Sequence, residues 1–248
     1  MSNMYVNYEE KGAGKPGPII MVHGAGGSSA TWWMQLKHLS EHLHIIAVDL
    51  NGHGSTPDRQ DDETLESYLS DISEIVSLYE KPILCGHSMG GGLTQLYALR
   101  SPDDLSGIIL VDTGAKLRVN PLIFQMLNDD VESYLNAMGT YAFAEETPED
   151  LRESSKAEMR RCAPGIIERD FRACDTFDIM DKVAQISIPT LIVVGEEDLL
   201  TPPKFSTFLN DQIPNAELVV IPKAGHSVML EQWESFNTII AKWHRGLG

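Results

Sequence analysis

The stretch ILCGHSMGGG, Ile83 to Gly92, decides how the rest of the chain is read. It opens on the apolar run KPILC, a strand candidate. It closes into MGGGLTQLYALR, Met89 to Arg100, a helical pattern that stops before Pro102. Gly86-His87-Ser88-Met89-Gly90 therefore occupies a strand-to-helix turn. A turn that sharp leaves no room for a Cβ at the flanking positions and holds the central serine outward at the start of a helix. In that context the G-x-S-x-G match reads as a nucleophile on an elbow rather than a small residue in a tight turn. The N-terminus of the following helix favours negative charge developing beside Ser88.

Outward from the elbow, short Ile/Val/Leu-rich runs recur between amphipathic stretches: PIIMVHG, HIIAVDL, PILCG, GIILVDT, TLIVVGEE and ELVVIP. Runs without polar alternation are what strands buried on both faces look like, and helical patterns between them predict a mostly parallel central sheet with helices on both faces. MYVNYEE alternates more and reads as an edge strand, joined to the first buried one through KGAGKPG.

One interval breaks this rhythm. From Gly114 to Asp181 no strand-like run occurs and helices follow in series, so residues 1–113 and 182–248 read as an α/β core and 114–181 as an inserted helical lid. PLIFQMLNDDVESYLNAM carries Leu127, Val131, Tyr134, Leu135 and Met138 on one face. ETPEDLRES, with a capping-type Thr147, reads as a fresh helix start.

Composition bounds the function. At 248 residues, with 42% apolar and 22% charged residues, the chain suits one sizeable soluble core. A net charge of −17 argues against phosphate backbones and anionic bilayers, so neither nucleic acid nor membrane is an expected partner. Cys85, Cys162 and Cys174 form no CxxC or Cys/His ligand spacing, and no metal is expected. Unpaired cysteines, no basic-then-apolar leader and no run of roughly 18 apolar residues make the cytoplasm the expected compartment.

A serine nucleophile needs a base, and the base needs an orienter. Among eight histidines, His226 in IPKAGHSVML follows the last strand in a loop suited to reach over the carboxyl edge of the sheet, where open α/β sheets bind ligands. His38, His42, His44 and His244 read as surface or helix-flanking, His53 as a loop residue in NGHGS, His87 as packing, and His23 as a shaper of the neighbouring glycine loop. For the acid, VVGEEDLLTPP supplies Glu196, Glu197 and Asp198. Asp198 is preferred because a short acid beside TPP can be fixed by local backbone bonds. Asp112 in LVDTG is its rival. VHGAGGSSATWW supplies backbone donors, and the Ala25 and Met89 N–H groups are the expected oxyanion pair. This loop lacks the GK[ST] of a phosphate loop. Trp32 and Trp33 read as core.

HGAGGSS, DLNGHGST, GHSMGGG, GEEDLLTPP and AGHSVMLEQ occur in that order. Together they resemble the α/β-hydrolase fold superfamily, most nearly small carboxylesterases and pimeloyl-carrier methyl ester esterases. The resemblance spans essentially the whole chain, and its Ser, acid, His order matches Ser88, Asp198 and His226. It implies a carboxylesterase with a cap, no cofactor, and Ala25 and Met89 as oxyanion donors. Two departures stand out. The family loop D-x-R-G-x-G-x-S here has Asn51 in place of arginine, and the usual first strand of the N-terminal hairpin has no counterpart.

The expected chemistry is hydrolysis of a small-molecule ester through an acyl-enzyme. Alternatives sharing the motifs are a slow-turnover ligand receptor, an enol-lactonase, a carbon-carbon bond hydrolase and a cofactor-free peroxidase. Phe124, Met126, Leu127, Met138, Tyr141 and Phe143 are the expected acyl-side lining. Arg160, Arg161, Arg169 and Arg172 form a candidate basic face for an acidic acyl-carrier substrate.

Overall fold

In the buried strands, side chains alternate between two cores, and this period of two is what places helices on both faces. A computed structural model describes residues 6–61 and 63–247. Its strands are β1 Tyr8–Lys11, β2 Pro18–Val22, β3 His44–Val48, β4 Ile83–His87, β5 Gly107–Val111, β6 Thr190–Gly195 and β7 Ala216–Ile221. They form one sheet in the order β1-β3-β2-β4-β5-β6-β7. Every pairing is parallel except β1 with β3, where Tyr8 faces Val48.

Ile20, Val22, Ile46, Leu84, Ile108 and Ile192 point into one core, against α2 Thr64–Val76, α3 Met89–Arg100 and α8 Pro203–Gln212. Ile19, Met21, Ile45, Cys85, Ile109 and Val193 point into the other. There they meet α1 Trp33–Lys37, α9 Val228–Glu231 and α10 Trp233–Gly246. This is the α/β-hydrolase fold.

The six apolar runs all contain strands, but β7 is not buried on both faces as its composition suggests. It closes the sheet as an edge strand in which Ile221 alone is buried and Val220 is exposed. Hydrophobic composition reports the capacity for burial, whereas strand order decides which strand lies outermost. At the other edge, Val6 to Glu10 of MYVNYEE lead into and form part of β1, while Met4 and Tyr5 lie outside the described residues.

Between β5 and β6 the chain makes four α-helices: α4 Pro121–Asp129, α5 Val131–Tyr141, α6 Glu149–Met159 and α7 Pro164–Thr176. It leaves and returns through one neck, where Lys116 bridges Asp178 and Ile179 N donates to Ala115 O at 2.9 Å. The run from Pro121 to Met138 is two helices, because Asp130 takes an extended φ of −159° and caps α5 by accepting from Glu132 N. Leu127, Tyr134, Leu135 and Met138 nevertheless pack together, with Ile167 of α7. Thr147 does not cap α6. Its cap position is held by Pro148, and Thr147 Oγ1 donates instead to Glu231.

Candidate active site

Ser88 sits between β4 and α3 with φ 52° and ψ −115°, a backbone conformation that costs a β-carbon residue about 1–3 kcal/mol and persists only where surroundings enforce it. Here Ser88 N donates to Val111 O at 2.9 Å, and Thr113 Oγ1 and the Gly91 and Gly92 N–H groups donate to Ser88 O. The flanking glycines are steric requirements. A Cβ on Gly86 would lie 2.1 Å from Gly90 O, and one on Gly90 would lie 2.4 Å from Val22 O. The glycine loop after β2 abuts the serine: a Cβ on Gly24 would come within 3.1 Å of Ser88 Cβ.

His226 stands in the loop between β7 and α9. Its Nδ1 lies 2.9 Å from Asp198 Oδ2 and 3.1 Å from Thr201 Oγ1, which itself donates to Asp198 Oδ2 at 2.7 Å. The other oxygen, Asp198 Oδ1, accepts Leu200 N–H at 2.8 Å and Thr201 N–H at 2.9 Å. Burial by itself would raise the Asp198 pKa, but His226 and the Thr201 donors outweigh it and bring it to about 2. Burial would likewise lower that of His226, yet the Asp198 charge and hydrogen bond leave it raised.

With Nδ1 engaged, Nε2 is the nitrogen left to exchange a proton with the cavity. His87 Nε2 donates to His226 O at 2.7 Å and so braces this loop from below. Burial, followed by the proximity of His226, lowers the His87 pKa to about 3, which keeps it neutral.

Asp112, the rival acid, does not reach His226 by a hydrogen bond. Its carboxylate accepts Gly195 N–H at 2.9 Å and Val228 N–H at 3.2 Å, tying β6 to α9. Glu196 and Glu197 are exposed.

Ser88 and His226 line one cavity of about 760 Å³ together with Ala25. Of the residues expected on the acyl side, Met126, Met138, Tyr141 and Phe143 line it. Phe124 and Leu127 do not. Phe124 lies under the Arg172 guanidinium, 5.2 Å from Cζ to ring centroid, and Leu127 is buried in the core shared by the inserted helices. Both corrections follow from the turn of α4, which presents Leu122, Ile123 and Met126 to the cavity instead. Trp32 is core, but Trp33 is not: it joins Leu122, Tyr141, Leu199 and Leu200 as exposed apolar side chains at the rim.

The four arginines form no common basic face. Arg160 pairs bidentately with Glu132, Arg161 with Glu158, Arg172 with Glu168, and Arg169 with Asp58. Arg169 also donates to Asn51 O at 2.7 Å, so an inserted helix brings a guanidinium to the loop whose own sequence lacks the arginine.

Four contributors escaped the sequence reading. Thr201 bridges acid and base, and the D-x-x-T spacing from Asp198 was its local signal. Glu231 accepts Gly225 N–H and Ala144 N–H at 2.8 Å each, joining the His226 loop to the insertion. His53 and Asp170 form a buried pair at 2.8 Å, and 117 residues of separation left no local signal for it. Among the described residues, no group of three or more His, Cys, Asp or Glu side chains is placed to hold a metal ion, and no helix is long and apolar enough to cross a membrane.

Comparison with known proteins agrees with this fold. A thermophilic esterase superposes with a TM-score of 0.87 at 32% identity, covering 98% of this chain and 94% of that one. The protein named "Putative carbamate hydrolase RutD" in Agrobacterium fabrum is 30% identical over 237 residues, 89% of this chain and 90% of its own. The pimeloyl-(acyl-carrier protein) methyl ester esterase of Aeromonas salmonicida is 28% identical over 256 residues, 96% of this chain and 98% of its own. Residues 19–239 match the alpha/beta hydrolase family, and the chain belongs to it.

Proposed function

We propose that this protein is a serine esterase that cleaves carboxylic esters through an acyl-enzyme, with Ser88, His226 and Asp198 as its triad. The observation that carries the reading is the Asp198–His226 contact of 2.9 Å, with His226 lining the same cavity as Ser88 on its strained turn. His226 Nε2 takes the Ser88 proton as Oγ attacks the carbonyl, and Asp198 stabilises the imidazolium and fixes its tautomer. The Ala25 and Met89 N–H groups receive the oxyanion, each worth about 3 kcal/mol of barrier, assisted by the N-terminus of α3. His226 returns the proton to the leaving alcohol. Water then attacks the acyl-enzyme with His226 again as base.

In this reading residues 114–181 act as a cap whose Met126, Met138 and Phe143 hold the acyl chain, a flexible apolar lining that suits esters rather than strongly charged substrates. Esterase relatives support the reaction class. The paired arginines offer little to a carrier protein, so small free esters are the favoured substrates.

The test is steady-state hydrolysis of p-nitrophenyl esters from acetate to dodecanoate by the native protein and by Ser88→Ala. Turnover with a loss of about 10³-fold or more in the variant is expected. An inert native protein, or equal activity in the variant, would replace the reading with the receptor or a non-ester substrate such as a carbamate.

A further inference from the structure

The oxyanion loop is held from behind by a carboxylate that belongs to the inserted helices. Asp170 of α7 is fully buried, and three donors converge on it: Gly26 N–H at 2.8 Å and His53 Nε2 at 2.8 Å on Oδ2, and Tyr68 O–H at 2.5 Å on Oδ1. His53 Nδ1 lies 3.1 Å from the Asn51 carbonyl, an acceptor only, so both ring nitrogens carry protons and the pair is ionic. Burial would lower the His53 pKa, but the Asp170 charge and hydrogen bond outweigh this and raise it to about 10.

The His53 ring lies 4.7 Å from that of His23, between centroids. His23 Nδ1 donates to Gly24 O at 2.8 Å, while its Nε2 accepts Leu50 N–H at 3.3 Å. One neutral tautomer satisfies both contacts, and burial with the neighbouring His53 charge keeps His23 in it, at a pKa of about 4.

These contacts bear on Ala25 from both sides. Gly24 C=O and Ala25 N–H belong to one planar trans peptide and point in opposite directions. A carbonyl drawn toward His23 therefore directs the Ala25 N–H the other way. The next peptide is fixed in turn by Gly26 N–H on Asp170. We propose that Asp170 is a positioning residue for the oxyanion: through its bond to Gly26 N–H, a carboxylate of the inserted helices sets the orientation of the Ala25 N–H donor. This rests on the serine esterase reading above. It makes the insertion part of the catalytic frame as well as a cover, with α7 its fixed wall.

The experiment compares Asp170→Ala and His53→Gln with the native enzyme on one short ester, reading kcat and KM separately, together with the inhibition constant of a boronic acid that mimics the tetrahedral intermediate. Removing the acceptor for Gly26 N–H loosens a donor used in the transition state, so Asp170→Ala is expected to lower kcat about 10- to 100-fold with KM within twofold. Its boronate affinity should fall in parallel. His53→Gln keeps an N–H for Asp170 and the Gly26 bond, and should keep kcat within threefold while lowering Tm.

The single Asp170 variant leaves a buried imidazolium without its partner and can fail to fold. The double variant Asp170→Leu/His53→Gln removes that charge and should show the same kcat loss. Unchanged kcat in the folded Asp170 variants, or equal kcat losses in Asp170→Ala and His53→Gln, would overturn the proposal. Ser88→Ala run beside them separates this from failure of the esterase reading: activity surviving in Ser88→Ala sinks the reading itself, whereas its loss alongside normal Asp170 variants sinks only the positioning role.

Discussion

Two buried imidazole–carboxylate contacts of almost equal length lie in this molecule, His226 with Asp198 at 2.9 Å and His53 with Asp170 at 2.8 Å. Their surroundings separate them. His226 spends one nitrogen on its acid and faces a cavity with the other, whereas His53 spends both nitrogens on protein acceptors and is sealed. A histidine pairing with an acid is thus not by itself a catalytic signature. What matters is whether the second nitrogen is left available to exchange a proton.

The largest expected effect tests that distinction directly. His226→Ala should lower kcat/KM about 10³-fold or more, because on the proposed triad Ser88 loses its base, while His53→Gln should stay within threefold. Comparable losses in both would collapse the contrast.

Asp198→Asn keeps the shape of the triad but permits the wrong tautomer, and should cost about 10²- to 10⁴-fold in kcat. The same variant sharpens the pH comparison. In the proposed mechanism His226 is a base only when neutral, and its pKa is raised, so kcat/KM should fall as pH falls through a value above 6.5. Without the Asp198 charge the limb should move to lower pH. A limb at the same pH in Asp198→Asn would assign the titration to another group.

The His53 pair should appear in stability rather than rate. A folded pKa of about 10 against 6.5 unfolded means that its contribution is complete below about pH 6.5 and is lost as pH rises through 10. The Asp170 pKa is lowered, mainly because the His53 charge overcomes burial, so its share is lost as pH falls through that depressed value. Tm should therefore decline between about pH 6.5 and 10, at up to about 1.4 kcal/mol of stability per pH unit, and Asp170→Asn should flatten that slope. A flat native profile over this range would contradict the ionic pair.

Smaller effects are expected at the rim of the cavity and on the surface of the inserted helices. Trp33→Ala at the rim should lower activity on octanoate or longer esters by about three- to tenfold and leave acetate unchanged, since a buried aromatic contact is worth about 1–2 kcal/mol. Arg160→Glu with Arg161→Glu should change free-ester hydrolysis less than twofold. A larger loss on carrier-linked than on free esters would restore the docking face that the ion pairs argue against.

The sequence was legible where the physics is local. Gly86 and Gly90 announce a turn in which no Cβ fits, and Asp198 sits three residues before a threonine whose backbone and hydroxyl fix it. The inserted helices were less legible. Phe124 and Leu127 share the apolar character of Met126, and only the rotation of α4 decides that Met126 meets the cavity while Leu127 meets Tyr134 and Leu135. Trp33 follows the fully buried Trp32 in sequence yet stands at the rim.

By itself the sequence determined the α/β class, the elbow and the identity of the serine, acid and base candidates. Each rests on local sterics, period-two burial or the order of motifs along the chain. The tertiary structure alone decided that β7 is an edge, that the arginines of the inserted helices are paired with carboxylates and that Asp170 lies behind the glycine loop after β2. Each of these depends on groups far apart in sequence meeting in a place where water is absent and an unpaired charge is costly.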